Sequence, residues 1–218
     1  MNSPSLLQDE KWALRTTSAA LGLALLGSAS VILGPAHGEA AVDEALDFLV
    51  GVILPVLGFM ALDSIGRPSA LDQTLLRFGL NRRKALMATL GRRLALFTAL
   101  FTTVAGVLLV VARSLNDPAL PADLWATLPV CMLSAVSVGA FFSACVLSGG
   151  RLLLGIGLAV VWLMGHADGL IAALVPVGQI RHLLALGPDL GLPAWVSALV
   201  LAFYAAVGLT VCAVRVPP

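Results

Sequence analysis

Six times along this chain, charged side chains almost disappear for about the length that a helix needs to cross a bilayer. A helix spans the roughly 30 Å hydrocarbon core with about 20 residues, at about 1.5 Å of rise each. The apolar runs are Thr16–Leu33, Leu46–Leu62, Leu94–Val111, Trp125–Leu147, Leu152–Met164 and Trp195–Val214. Composition supports the same conclusion. Hydrophobic residues make up 59% of the 218 and charged residues 11%, with a mean hydropathy of +0.99. A soluble domain carries about 45–50% apolar and about 25% charged residues. So much apolar surface excludes both a water-soluble globule and a disordered chain. The expected fold is an all-α membrane protein of six transmembrane helices, forming one domain over 1–218.

The first run invites comparison with a signal peptide cleaved near Pro35-Ala36-His37-Gly38. Asp9 and Glu10 interrupt the basic character around Lys11 and Arg15, and the apolar part is long, so it reads as a span. Residues 1–15 then form an N-terminal interfacial segment. Net charge is +1, which supplies no basic field for nucleic acid. Cys131, Cys145 and Cys212 all lie in apolar runs, without CxxC spacing, and read as packing residues rather than disulfides or metal ligands.

Basic residues set the expected orientation. With the N-terminus in the cytoplasm, the inside segments hold eleven of the thirteen Lys and Arg residues; only Arg113 and Arg181 fall outside. The outer loops collect Glu39, Asp43, Glu44, Asp47, Asp117, Asp123, Asp168 and Asp189. Trp125, Trp162 and Trp195 stand near the outer ends of their runs. Both termini are expected in the cytoplasm.

Two connections depart from simple loops. The cytoplasmic segment 63–93 opens with Gly66-Arg67-Pro68-Ser69, and Ser69 with Asp72 makes a weak capping box. Leu71, Leu75 and Phe78 then share a helical face, Gly79 is a natural stop, and Asn81 a cap for a second helix carrying Arg82, Arg83, Lys84, Arg92 and Arg93. Two readings stand side by side: an amphipathic hairpin lying on phospholipid, or a docking element for a cytoplasmic partner. The other irregular region is 165–190. Leu170–Val177 is too short to cross, is interrupted by Pro176, and is bounded by Asp168 and by Gly178-Gln179-Ile180-Arg181. It reads as a short outer re-entrant hairpin before span six, admissible where protein or water satisfies its backbone. His166, Asp168 and His182 gather there as weak candidates for a substrate path, against the alternative of solvated loop residues.

Much familiar chemistry is missing from the pattern. The span interiors hold almost no ionisable group, with Asp47 and Asp63 at the ends of the second, so no ion relay is visible. There is no HExxH, no paired-acid signature and no GxSG serine with a later histidine. Ser134 and Ser137 read as helix-packing residues. Leu147-Ser148-Gly149-Gly150-Arg151 looks like an ABC ATPase signature peptide, but no GxxxxGK[ST] loop accompanies it, so it reads as a tight turn. The chain is not expected to be an enzyme by itself.

The layout resembles the ABC-2 type permeases, the membrane subunits of one class of ATP-driven transporters. The strongest local likeness runs from Ser64-Ile65-Gly66-Arg67 through Leu71-Asp72-Gln73-Thr74-Leu75-Leu76 to Asn81-Arg82-Arg83-Lys84-Ala85-Leu86. It departs from the family where Arg67-Pro68-Ser69 replaces a frequent acid, and where Gly79-Leu80-Asn81 replaces a frequent proline. The resemblance implies a cytoplasmic coupling helix between spans two and three, seating Leu71, Asp72, Leu75, Leu76, Arg77, Phe78, Arg82 and Arg83 on an ATPase. Ser148, Gly149 and Arg151 would make a smaller second contact. It further implies a second permease copy or relative, two cytoplasmic ABC ATPase subunits that bind ATP and Mg, no cofactor in this chain, and a location in the inner (cytoplasmic) membrane. The implied task is export of a hydrophobic or amphipathic substrate. The rival expectation is a non-transporting membrane scaffold or a lipid-modifying membrane enzyme.

Overall fold

Apolar runs become helices here because a segment in hydrocarbon must pair its own backbone N–H and C=O groups. The computed structural model describes residues 4–63, 65, 82–167, 170–187 and 191–215, with the backbone alone at 4–10, 82, 85 and 170. Within them the chain forms α1 (Pro4–Leu33), α2 (Glu39–Phe48), a π-helical turn (Leu49–Ile53), α3 (Leu54–Leu62), α4 (Arg82–Arg113), α5 (Leu120–Gly165), α6 (Leu170–Ala173), α7 (Pro176–Leu183) and α8 (Ala194–Arg215). Among the described residues, five helices are long and apolar enough to cross a membrane: Lys11–Leu33, Glu39–Leu62, Leu86–Arg113, Leu120–Gly165 and Ala194–Arg215. The protein is an all-α bundle of the multi-span membrane class.

Helix boundaries extend the apolar runs in instructive ways. Glu39, Asp43, Glu44 and Asp47 belong to α2, so these acids ride on the helix rather than in a loop. In the same way, Arg82, Arg83, Lys84, Arg92 and Arg93 stand on one unbroken helix with the third run. Residues 64 and 66–81 lie outside the described residues, and with them the expected first helix of segment 63–93. All three cysteines are free; Cys131 and Cys212 are buried and Cys145 is half-buried.

The fourth and fifth runs are the two arms of α5. Gly149 (φ −151°, ψ 17°) and Gly150 (φ 67°, ψ −153°) break the helical backbone between them. The Gly150 conformation is one that essentially glycine alone adopts. The arms fold back on each other: a methyl group placed on Gly157 would stand 3.1 Å from Cys145 Sγ and 3.5 Å from the Phe141 ring.

The second arm, Arg151 to Gly165, is roughly 15 residues and about 22 Å long, too short to match its neighbours. Its register against the α2–α3 helix follows from three contacts. Arg151 pairs with Asp63 at the end of α3. Trp162 Nε1 donates to the Gly51 carbonyl at 2.9 Å, and Gly51 stands midway along Glu39–Leu62. Beyond the arm, Arg181 pairs with Asp47 at 2.6 Å. The arm therefore ends halfway, and the α6–α7 hairpin fills the remaining half of that column. Trp162, expected near an end of the bundle, lies at mid-height for this reason, whereas Trp125 and Trp195 are exposed near helix ends.

The core is built from large apolar side chains, among them Phe97, Phe101, Phe142, Leu54, Leu57 and Leu108, all fully buried. Small residues let helices approach closely. A methyl on Gly208 of α8 would stand 2.7 Å from the Ala140 carbonyl carbon of α5. Ser134 and Ser137 are buried there too, and Ser134 Oγ donates to the Val130 carbonyl, as packing serines do. Leucines and aromatics on α1, the second arm of α5, and α8 point outward, the surface a bilayer would cover.

Candidate functional site

The α6–α7 hairpin is where this bundle concentrates its polar chemistry. Its reversal follows from Val175-Pro176: a residue before proline is driven to extended backbone, and Val175 has φ −124° and ψ 150°. Pro176 then opens α7, where a missing N–H costs nothing. The tip lies deep. Tyr204, the only tyrosine, donates its hydroxyl to the Leu174 carbonyl, and Tyr204 stands about 15 Å along α8 from Ala194.

A break in helical pairing at that depth leaves carbonyls without partners, and each bare group costs about 1–3 kcal/mol. The hairpin meets this need with side chains. Gln179, only 1% exposed, donates Nε2 to the Ala173 carbonyl at 2.6 Å, while Tyr204 serves Leu174. Gln179 Oε1 is itself buried without a protein partner. At the far end of α7, Arg181 donates to Asp47 at 2.6 Å and to the Leu186 carbonyl at 3.0 Å, tying the hairpin's exit to α2. Asp47 is half exposed, so the ion pair contributes about 0–1 kcal/mol. Its use is positional.

The two described histidines of the expected substrate path have separate partners. Exposed His166 donates Nδ1–H to the Trp162 carbonyl at 2.8 Å, and its ring lies 5.0 Å from the Trp162 ring. Its Nε2 lies against Gly51, where any larger residue would meet it at 3.3 Å. This contact falls on the π-helical turn, a feature frequent at functional sites. His182 Nδ1 and Ser197 Oγ lie 2.9 Å apart in a shared hydrogen bond. A serine–histidine contact resembles a nucleophile with its base, yet Ser197 is completely buried, and a nucleophile must meet its substrate. The contact docks α7 onto α8. Asp168 lies outside the described residues.

The opposite end of the bundle holds those of the expected docking residues that are described. Leu71, Asp72, Leu75, Leu76, Arg77 and Phe78 lie outside the described residues, and so does the Arg82 side chain. Arg83, Ser148, Gly149 and Arg151 are exposed there. Arg151 pairs with Asp63, which joins the α5 reversal to the residue where segment 63–93 departs. Nearby, Trp12 Nε1 donates to the Ala61 carbonyl at 3.2 Å, one of the orphan carbonyls of a helix end. The buried Arg93 guanidinium lies 4.6 Å from the Trp12 ring centre, a cation–π contact. Four chain segments are thereby locked together where α3 ends.

Sequence reasoning named Asp63 and Arg151 but did not pair them, named Gln179 only as part of a polar boundary, and passed over Tyr204 and Ser197. A lone polar residue inside an apolar run was the available signal. No known protein family, curated protein or solved structure matches this chain. It stands as a multi-span α-helical membrane protein.

Proposed function

We propose that this chain is the transmembrane permease subunit of an ABC-2 type transporter, exporting a hydrophobic or amphipathic substrate with ATP hydrolysed by a separate subunit. On this reading α1, α2–α3, α4, the first arm of α5 and α8 cross the membrane, and the short second arm of α5 with the α6–α7 hairpin makes up the sixth column. Both termini, segment 63–93 and the Gly149–Gly150 reversal face the cytoplasm. The α6–α7 hairpin re-enters from the outside, and the protein resides in the inner membrane. The observation that carries the reading is the half-length second arm of α5 continued by a hairpin whose backbone is satisfied by Gln179 and Tyr204. Non-helical backbone at membrane depth is tolerated where it is buried in protein or lines a cavity, and such interruptions mark transport paths.

Coupling follows from the other end. Segment 63–93 would seat Leu71, Leu75 and Phe78 in a cytoplasmic ATPase, with Arg77, Arg82 and Arg83 steering acidic partners. A push on that segment reaches Asp63, and the Asp63–Arg151 pair passes it to the second arm of α5 and on to the hairpin. Two permease copies, or one with a relative, would enclose the path, and two ATPase subunits would bind ATP and Mg.

Replacing Leu75 and Phe78 together with Asp tests this reading. Burying an unpaired charge in an apolar docking pocket costs about several kcal/mol, and about 1.4 kcal/mol already lowers affinity tenfold. Wild-type protein should co-purify with an ABC ATPase, and the double variant should insert normally but lose it. Normal recovery of that ATPase would place the segment on the lipid surface. Absence of any ATPase with wild-type protein would favour a scaffold or a lipid-modifying enzyme. Reporters fused after Arg215 and within Asp72–Asn81 should report cytoplasm.

A further inference from the structure

The second span changes its pairing at the height where the second arm of α5 ends. In an α-helix each carbonyl is served by the N–H four residues on. Over Leu49–Ile53 the reach is five residues instead, and Leu54 N–H donates to the Leu49 carbonyl. Pro55 follows directly and has no N–H, so the Gly51 carbonyl loses the donor that an α-helix would give it. A π-helical turn and a proline are each a cause of bending in a helix. Here they adjoin. Trp162 meets the need from the second arm of α5, donating Nε1 to the Gly51 carbonyl at 2.9 Å. Beside this bond Val50, Leu54, Pro55, Phe142, Trp162 and Val177 line an apolar cavity of about 10 Å³. Apolar cavities stay dry, so no water stands ready to replace the indole.

The two halves of the span on either side of this break have different anchorages. Asp47 of α2 pairs with Arg181 of the α6–α7 hairpin, and Asp63 at the end of α3 pairs with Arg151 at the start of the second arm. A stiff span would move both anchorages together. A span that bends at the π-helical turn lets them move apart. We propose that the second span is hinged at Leu49–Pro55 and that the Trp162 indole is its latch. When Nε1 leaves the Gly51 carbonyl, α2 and the hairpin open as one unit relative to α3 and the second arm. Pro55 is what makes the latch necessary: with a donor at that position, the helix would serve Gly51 itself. The hinge belongs to the span and needs no ATPase at the other end of the bundle.

The test measures opening of the full-length protein in mild detergent by the rate at which buried thiols react with N-ethylmaleimide, read peptide by peptide in a mass spectrometer. Val50→Cys reports on the π-helical turn and Val177→Cys on the hairpin; both positions are buried. The native Cys131 and Cys212, buried on the first arm of α5 and on α8, are internal references. Trp162→Phe removes the donor and keeps a ring, and benzothienylalanine at the same position removes only the N–H. Either replacement should speed labelling at both reporters about tenfold, the change that about 1.4 kcal/mol produces, and leave the two references unchanged. Pro55→Ala returns a backbone donor to the helix. In that background, replacing Trp162 should change the reporter rates by less than about twofold, the signature of two coupled positions. Unchanged rates at both reporters would overturn the proposal, as would an equal rise at Cys131 and Cys212, which marks general loosening. A rise at Val50→Cys alone would overturn the joint opening of α2 and the hairpin. A full effect persisting beside Pro55→Ala would show that the Gly51 carbonyl is not what the latch holds.

Discussion

At Gly149–Gly150 the chain turns back where both glycines are exposed, whereas at Ala173–Val175 it turns back about halfway along α8. The first reversal asks only for an unusual backbone shape, which glycine supplies, and open carbonyls there can be met by water. The second lies at mid-height on the side of the bundle, with Val175 buried and Leu174 exposed on the surface a bilayer would cover, where no water is assured. It recruits Gln179 and Tyr204 for two carbonyls, a proline to set the bend, and Gly178 to let α6 and α7 touch. A turn at the edge of the bundle is a question of conformation. A turn at mid-height is a question of satisfying hydrogen bonds and space.

That contrast can be broken at its strongest point through Gly178. A Cβ there would lie 2.0 Å from the Ala172 carbonyl oxygen, a backbone atom that cannot rotate away. Gly178→Val should destabilise the protein by about 3 kcal/mol, the upper range for overpacking, seen as a large drop in melting temperature in detergent. Unchanged melting would mean the hairpin is loosely held. Tyr204→Phe strands the Leu174 carbonyl and should cost about 1–3 kcal/mol, with faster hydrogen exchange confined to the hairpin and the facing part of α8. If exchange rises evenly over the molecule, the hydroxyl is not a local support.

Gly150→Ala should cost about 1 kcal/mol, the low end for a strained backbone position, because the exposed turn can relax. A loss matching that of Gly178→Val would show that both reversals are constrained alike. Arg151→Ala should be the mildest, about 1 kcal/mol or less, since the Arg151 side chain is exposed although Asp63 is partly buried. Its effect should fall on coupling: in the transporter reading, ATP turnover by the complex continues while transport slows. Equal slowing of both would place Arg151 in the ATPase contact instead.

The sequence by itself determined the class of the protein and the location of its long helices. Transfer into lipid is favourable segment by segment, so a run such as Leu94–Val111 declares itself wherever its neighbours lie, and glycines announced the turn before Arg151. Val175-Pro176 and the polar string after it likewise marked the short hairpin. What only the tertiary structure decided was height and partnership. That the second arm of α5 stops at mid-bundle, that Trp162 meets Gly51, that Asp63 meets Arg151, and that Tyr204 and Gln179 serve two carbonyls are contacts between residues far apart in the chain. Hydropathy is a local sum and registers none of them. A hydrogen bond or ion pair depends on the register of one helix against another, and that register exists only once side chains across the whole bundle have packed.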